Sequence, residues 1–454
     1  MKKKLLVFIL IPVLVFMISC SNSKNKIEKL VPVTPETALQ SYLNNGDETF
    51  KWELKEKFEY GELTAFDILL TSQNWREHTW THQLTLFVPE KVLHDGALLF
   101  ITGGSVKDGL PNWESKDNDE AKLFAQLAQK NNAVVAIIRQ TPNQPLYDDL
   151  VEDQLISFTL HNFKEDKDYT WPLLFPMVKT AVRAMDVVQA FSKVNLETEI
   201  SRFTLSGASK RGWTTWLTGA NDPRVEAIGP MVIDVLNMPV SLDYQVEAWN
   251  EYSIQIEDYT KLEIPQTVNS PEGAAITQMI DPYSYREKLT IPKLIFIGTN
   301  DEYWPVDAIK NYINDIPGEN YIHYVPNAGH DLGGGAQAVR ALSAFWGRTL
   351  EKQEYPKFSY EITSDENSAT LTVQSNSDEL LNVFLWIADS EDRDFRDEEF
   401  TRITIDKNRQ LNGEVEFPEK GYKAFYIDME YADPKGGKYT KSTRMYVVDN
   451  GKIL

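Results

Sequence analysis

Three side chains in this sequence have the types and spacing that acyl transfer needs. Ser209 stands in FTLSGASKRGWTTW (203–216), which reads as a buried strand entering a tight turn and then a helix. Asp301 follows an apolar run in KLIFIGTNDEYWP, and His330 follows a short strand in VPNAGHDLGGG. A serine hydroxyl attacks a carbonyl only when a base takes its proton, and histidine is the side chain that titrates near neutral pH. A carboxylate beside that histidine orients it and stabilises its protonated form.

Each residue also has a plain structural reading. Ser209 would cap the helix behind it, and Asp301 would cap a helix beginning near Val306 or turn the chain. Glu302 is adjacent and competes for the acid role. Taken together, nucleophile, acid and base occur in the chain order of the α/β-hydrolases, each after its own buried strand. The usual elbow is G-x-S-x-G, whereas here Gly207 is in place and the next glycine, Gly212, comes one position late. The strained turn needs small neighbours, and Gly207 with Ala208 supply them before the serine. The backbone N–H of Lys210 is then one oxyanion donor, and Gly104 or Ser105, after GALLFIT, the second. The other histidines carry less. His78 and His82, four apart in HTWTHQL, read as a half-exposed strand pair, since two imidazoles without a nearby third ligand make a weak metal case. His94 falls in a turn, His161 in an insertion and His323 in a strand. The chemistry requires no metal and no cofactor.

The elements that would position these residues follow from hydrophobic pattern. The segments KWELKEKFEYGELTAFDILLTSQNW and THQLTLFVPE alternate as half-buried antiparallel strands at a sheet edge. GALLFITGG, AVVAIIRQTP, RFTLSGAS, VEAIGPMVIDV and PKLIFIGTND are continuous apolar runs, as in strands covered on both faces. Helical stretches separate them, so the fold class is α/β, with a mostly parallel sheet between helices. Two insertions, at about 144–171 and 237–287, exceed what connections require and read as helical caps. The second is rich in aromatics, with Tyr244, Trp249, Tyr252 and Tyr259. The α/β domain spans 36–352, and 353–454 reads as a β-sandwich-like domain of short alternating strands. Its charged run DSEDRDFRDEEF reads as a local ion-pair network.

The 454 residues carry 46 basic and 67 acidic side chains, a formal net charge of −21. That balance argues against nucleic acid as a partner, because phosphate binding needs a basic footprint. A content of 42% hydrophobic and 25% charged residues is that of a folded globular chain. At the N-terminus, Lys2 to Lys4 precede the apolar run LLVFILIPVLVFMIS, which ends at Cys20, the only cysteine. Residues 1–19 read as a signal peptide, and MISC resembles a bacterial lipobox. Cys20 would then carry lipid, with 20–35 as a polar tether. The expected location is the bacterial cell envelope, anchored to a membrane through Cys20, with the outer membrane or periplasmic face favoured.

The G-x-S-x-x-G spacing with a basic residue after the serine resembles the glucuronoyl esterase branch of the hydrolases. Over longer stretches, LSGASKRGWTTWLTGANDPRVEAIGPMVIDVLNM, FIGTNDEYWPVDA, VPNAGHDL and LWIADSEDRDFR resemble the PhoPQ-activated pathogenicity-related family. The resemblance implies an α/β-hydrolase fold with a cap and a β-sandwich-like tail, and leaves the substrate open. It carries the triad onto Ser209, Asp301 and His330, with Asp234 as an alternative acid because some hydrolases hold it at the end of the preceding strand. The expected activity is an exported serine hydrolase cleaving an ester or amide bond, peptides included, in a small-molecule or peptide substrate. The alternatives are a hydrolase fold kept as a binding or signalling module without turnover, and a C-terminal domain that binds glycans or protein.

Overall fold

The computed structural model describes residues 32–116, 118–375 and 377–454. The expected signal peptide, Cys20 and the tether up to residue 31 lie outside the described residues. Among the described residues no helix is long and apolar enough to cross a membrane.

Strands β1 (Lys51–Tyr60), β2 (Leu63–Trp75) and β3 (His78–Pro89) form an antiparallel edge. Next come β4 (Gly96–Ile101), β5 (Val134–Ile138), β6 (Arg202–Ala208), β7 (Val225–Met231), β8 (Lys293–Gly298) and β9 (Asn320–Val325). Their spatial order is β1-β2-β3-β5-β4-β6-β7-β8-β9. From β5 onward the pairings are parallel. One exchange of neighbours, β5 before β4, thus joins an antiparallel edge to a parallel run, the strand order of an α/β-hydrolase sheet.

Burial explains the unbroken apolar runs. In β4, Ala97, Leu99 and Ile101 enter one core while Leu98 and Phe100 enter the other. The first core is filled by α4 (Leu174–Asn195) and α5 (Lys210–Asn221), the second by α2 (Asp119–Asn131) and α8 (Ala336–Glu351). Helices on both faces leave no solvent side on which a strand could alternate. A short α1 (Pro35–Leu43) precedes the sheet, while α3 (Glu152–Asp166), α6 (Met238–Trp249) and α7 (Pro271–Ile280) belong to the two insertions. No α-helix begins near Val306; that stretch folds as 3₁₀ turns at Ala308–Asn311 and Ile313–Asp315.

Beyond α8 the regular elements among the described residues are all strands. β12 (Leu380–Ser390), β13 (Thr401–Ile405), β15 (Tyr422–Ala432) and β16 (Lys438–Ser442) continue the main sheet, joined where Ile322 of β9 faces Ser442 of β16. β10 (Phe358–Ser364), β11 (Ser368–Ser375) and β14 (Leu411–Glu416) form a separate three-stranded sheet. Leu371, Val373 and Val415 of that sheet share a core with Leu385 and Ile427 of the other.

Candidate active site

The turn between β6 and α5 carries Ser209 at φ 57° and ψ −128°, a backbone conformation that costs roughly 1–3 kcal/mol for a residue with a Cβ. Two backbone bonds hold it there: Ser209 N–H donates to Met231 O (2.9 Å), and Trp213 N–H donates to Ser209 O (2.9 Å). The displaced glycine has a steric reason. A Cβ on Gly212 would lie 2.6 Å from Met231 O and 3.0 Å from Gly207 O. One on Gly207 would lie 2.8 Å from Ile101 O. The first turn of α5 is pressed against β6 and β7 at Gly212, so smallness is needed one residue later than in the common pattern. Ser209 accepts no cap bond from the helix, which removes the plain reading of it as an N-cap.

Asp301 and His330 meet. His330 Nδ1 lies 3.0 Å from each carboxylate oxygen of Asp301. A carboxylate only accepts, so Nδ1 carries the proton and Nε2 is the free acceptor. Nε2 is buried and has no hydrogen-bond partner among the described residues. Both His330 and Ser209 line one cavity, though no hydrogen bond between them is formed. Glu302, the competitor in sequence, does a different job: it accepts the backbone N–H of His330 at 2.8 Å. Asp301 also accepts Tyr303 N–H (2.9 Å), and the Tyr303 ring lies over the His330 imidazole at 4.1 Å between centroids. Burial pushes the Tyr303 hydroxyl up to about 12, so it stays protonated.

The two basic residues after the serine are tied to the first insertion. Arg211 grips Glu152 with both Nη atoms, at 2.8 and 2.7 Å, while its Nε donates to Thr141 O. Lys210 Nζ reaches Glu152 at 2.8 Å and Asp153 at 3.1 Å. Burial opposes the Glu152 charge, yet the bonds and charges of Arg211 and Lys210 outweigh it and hold its pKa at about 2. The start of α3 is thereby fixed to the start of α5. From there the insertions wall the cavity: Leu160 comes from α3, Met238 and Leu242 from α6, and Ile276 and Ile280 from α7. Helix α6 is braced in turn by the loop between β12 and β13. Arg393 donates to Glu247 (3.0 Å) and to Tyr244 Oη (2.8 Å), and Arg396 stacks over Trp249. The run DSEDRDFRDEEF is therefore more than a local network, although Arg396 does pair with Asp394.

Other residues singled out in the sequence fall elsewhere. Gly104, at φ +132°, packs against Gln140, and Ser105 is bonded to Asn112; neither lines the cavity. Lys210 does. Asp234 is buried and accepts Tyr312 O–H at 2.6 Å rather than meeting His330. Burial raises its pKa to about 8. The expected half-exposed pair His78 and His82 is corrected, because His82 is fully buried between Ser72 Oγ (2.9 Å) and Arg139 O (3.0 Å). Burial lowers its pKa to about 4, so it is a neutral core histidine. Among the described residues no cluster of histidine, cysteine, aspartate or glutamate could hold a metal. Sequence reading missed the Glu152–Arg211 clamp, the Tyr303 ring and the Arg393 brace. The signal for the first was two adjacent basic residues in a turn that buries them, which need acids from somewhere.

The model of the PhoPQ-activated pathogenicity-related protein family matches residues 39–396. Autocrine proliferation repressor protein A of Dictyostelium discoideum is 31% identical over 432 residues, covering 87% of this chain and 86% of that protein. Among solved structures, an acetyl xylan esterase from Paenibacillus sp. R4 has a TM-score of 0.48 at 14% identity, covering 70% of this chain and 92% of its own. Acetyl xylan esterase 1 from Thermoanaerobacterium sp. JW/SL YS485 has 0.48 at 19%, covering 70% and 96%. The acylaminoacyl peptidase of Pyrococcus horikoshii has 0.44 at 14%, covering 70% and 45%.

Proposed function

Because the chain belongs to the PhoPQ-activated pathogenicity-related family, we propose a specific chemistry for that membership: a serine hydrolase that cleaves an ester or amide bond through Ser209, His330 and Asp301. The observation that carries this reading is the state of His330. Its Nδ1 is committed to Asp301, while Nε2 stays buried, without a hydrogen-bond partner among the described residues, and on the wall that Ser209 shares.

In this reading Ser209 Oγ attacks the substrate carbonyl and its proton passes to His330 Nε2. The oxyanion rests on the Lys210 backbone N–H at the start of α5; Gly104 and Ser105, the second donors expected from the sequence, lie off the cavity wall and take no part in this step. The bond to the leaving group breaks as His330 returns the proton to the departing oxygen or nitrogen. Water then enters and its oxygen bonds the acyl carbon as His330 takes its proton; the bond from that carbon to Ser209 Oγ breaks, His330 returns the proton to Oγ, and the new acid departs. The missing Ser209–His330 hydrogen bond fits a site that tightens only around substrate. It also favours the second reading, a hydrolase fold retained for binding alone.

Labelling with a fluorophosphonate separates the two. The hydrolase reading expects labelling that both Ser209→Ala and His330→Ala abolish; a folded wild-type protein that takes no label supports the binding module instead. For location, the basic residues and apolar run before Cys20 support export and lipid anchoring in the bacterial envelope. Incorporation of a fatty-acid analogue that persists in Cys20→Ser would rule the anchor out. The core shared by the three-stranded sheet and the C-terminal strands of the main sheet supports reading 353–454 as a β-sandwich-like layer pair that also braces α6 through Arg393.

A further inference from the structure

The cavity beside Ser209 has a chemistry of its own. Its walls are Leu160, Met238, Leu242, Val268, Ile276 and Ile280, together with aromatic rings. The acid and base that join His330 on its wall are already spent on each other. Asp153 meets Lys210 at 3.1 Å and accepts Tyr259 O–H at 2.8 Å, while Lys210 also holds Glu152 at 2.8 Å. A charged group entering here would lose its hydration and find no free counter-charge. An alkyl chain would lose only its contact with water, which favours entry.

Size narrows the class. The cavity offers about 80 Å³ to the centres of water-sized groups, and one water needs about 10–15 Å³ on that measure, giving room for roughly five to eight. Length agrees. Asp153 and Leu160 both line it, seven residues apart on one face of α3, which spans about 10 Å. An extended chain advances about 1.2 Å per bond, so roughly eight bonds fill that span. The chain is also the part of the substrate that must stay. Once the leaving group has gone, the acyl group remains on Ser209 until water arrives, so the walled side of the nucleophile suits the acyl half.

We infer that the cavity is an acyl site for an uncharged, unbranched chain of roughly six to eight carbons, making the substrate a medium-chain fatty acyl ester or amide. The inference rests on the hydrolase reading above.

The test is a series of p-nitrophenyl esters, from acetate through butyrate, hexanoate and octanoate to dodecanoate, with active sites counted by fluorophosphonate labelling. The ratio kcat/KM is expected to rise roughly tenfold for each two methylenes up to octanoate, since each buried methylene contributes about 0.8 kcal/mol, and to fall at dodecanoate. Ile276→Trp, which puts bulk on the cavity wall formed by α7, is expected to reverse the ratio of octanoate to acetate. Leu160→Phe serves the same purpose from α3 should the first variant not fold. A labelled wild-type enzyme that prefers acetate, or shows no dependence on chain length, overturns the acyl site and leaves the hydrolase reading standing. Absence of both labelling and turnover on every ester overturns the two together.

Discussion

Replacing Glu152 by glutamine tests whether the clamp between α3 and the turn at Ser209 is electrostatic. The carboxylate receives both Nη atoms of Arg211 and the Nζ of Lys210, and glutamine would present one of these cations with an N–H donor. The Glu152 pKa falls from 4.5 to about 2, which at about 1.4 kcal/mol per unit would amount to roughly 3 kcal/mol. The side chain is 37% exposed, so solvent screening reduces the expected contribution to about 1–2 kcal/mol. The sign follows from a depressed acid pKa: the contribution is complete above 4.5 and disappears as pH falls towards 2. Urea unfolding of wild type and Glu152→Gln is the assay. The variant should be less stable by about 1–2 kcal/mol at neutral pH, and the gap should narrow steadily below pH 4.5. A gap that is the same in acid as at neutral pH would refute the electrostatic argument and leave shape alone as the cause. No gap at neutral pH would refute the clamp itself.

Two further changes probe the nucleophile turn and the buried acid. Gly212→Ala brings a methyl to 2.6 Å from Met231 O, the carbonyl that holds the Ser209 amide; we expect a loss of about 1–3 kcal/mol in unfolding experiments and slower fluorophosphonate labelling of the folded fraction. Asp234→Asn keeps the Tyr312 bond and removes a carboxyl whose pKa is raised from 3.8 to about 8. Wild-type stability should therefore decline as pH rises through that window, and the variant should be more stable by roughly 1–3 kcal/mol at its upper end. Labelling of Ser209 should persist in it, because the acid at His330 is Asp301.

The parts legible in the sequence were those written locally. Runs such as ALLFI and VVAII announced strands covered twice, because no polar residue can alternate when helices lie on both faces. The candidate triad was legible because Ser209, Asp301 and His330 each follow such a run, in loops just past the strand ends. Contacts between distant segments left no local mark. Glu152 lies 59 positions from Arg211, and nothing in LYDDLVEDQL indicates which acid would turn to the serine. His82 misled for a related reason: β3 lies inside the sheet, with Thr180 of α4 over its imidazole, so an alternating pattern that suggested solvent hides a buried polar cluster. The stretch after Pro305 contains helix formers, yet it is held by bonds such as that from Tyr244 to Asp307 and folds as 3₁₀ turns. Arg393 looked locally paired until the fold brought Glu247 and Tyr244 to it.

The central claim is that Ser209 becomes acylated. Quenching the protein in acid shortly after mixing with p-nitrophenyl octanoate, followed by peptide mapping by mass spectrometry, tests it directly. The account predicts an octanoyl mass on the peptide bearing Ser209, formed together with a burst of nitrophenol and absent in Ser209→Ala. Turnover with the acyl mass on another residue, or undiminished in Ser209→Ala, would contradict it.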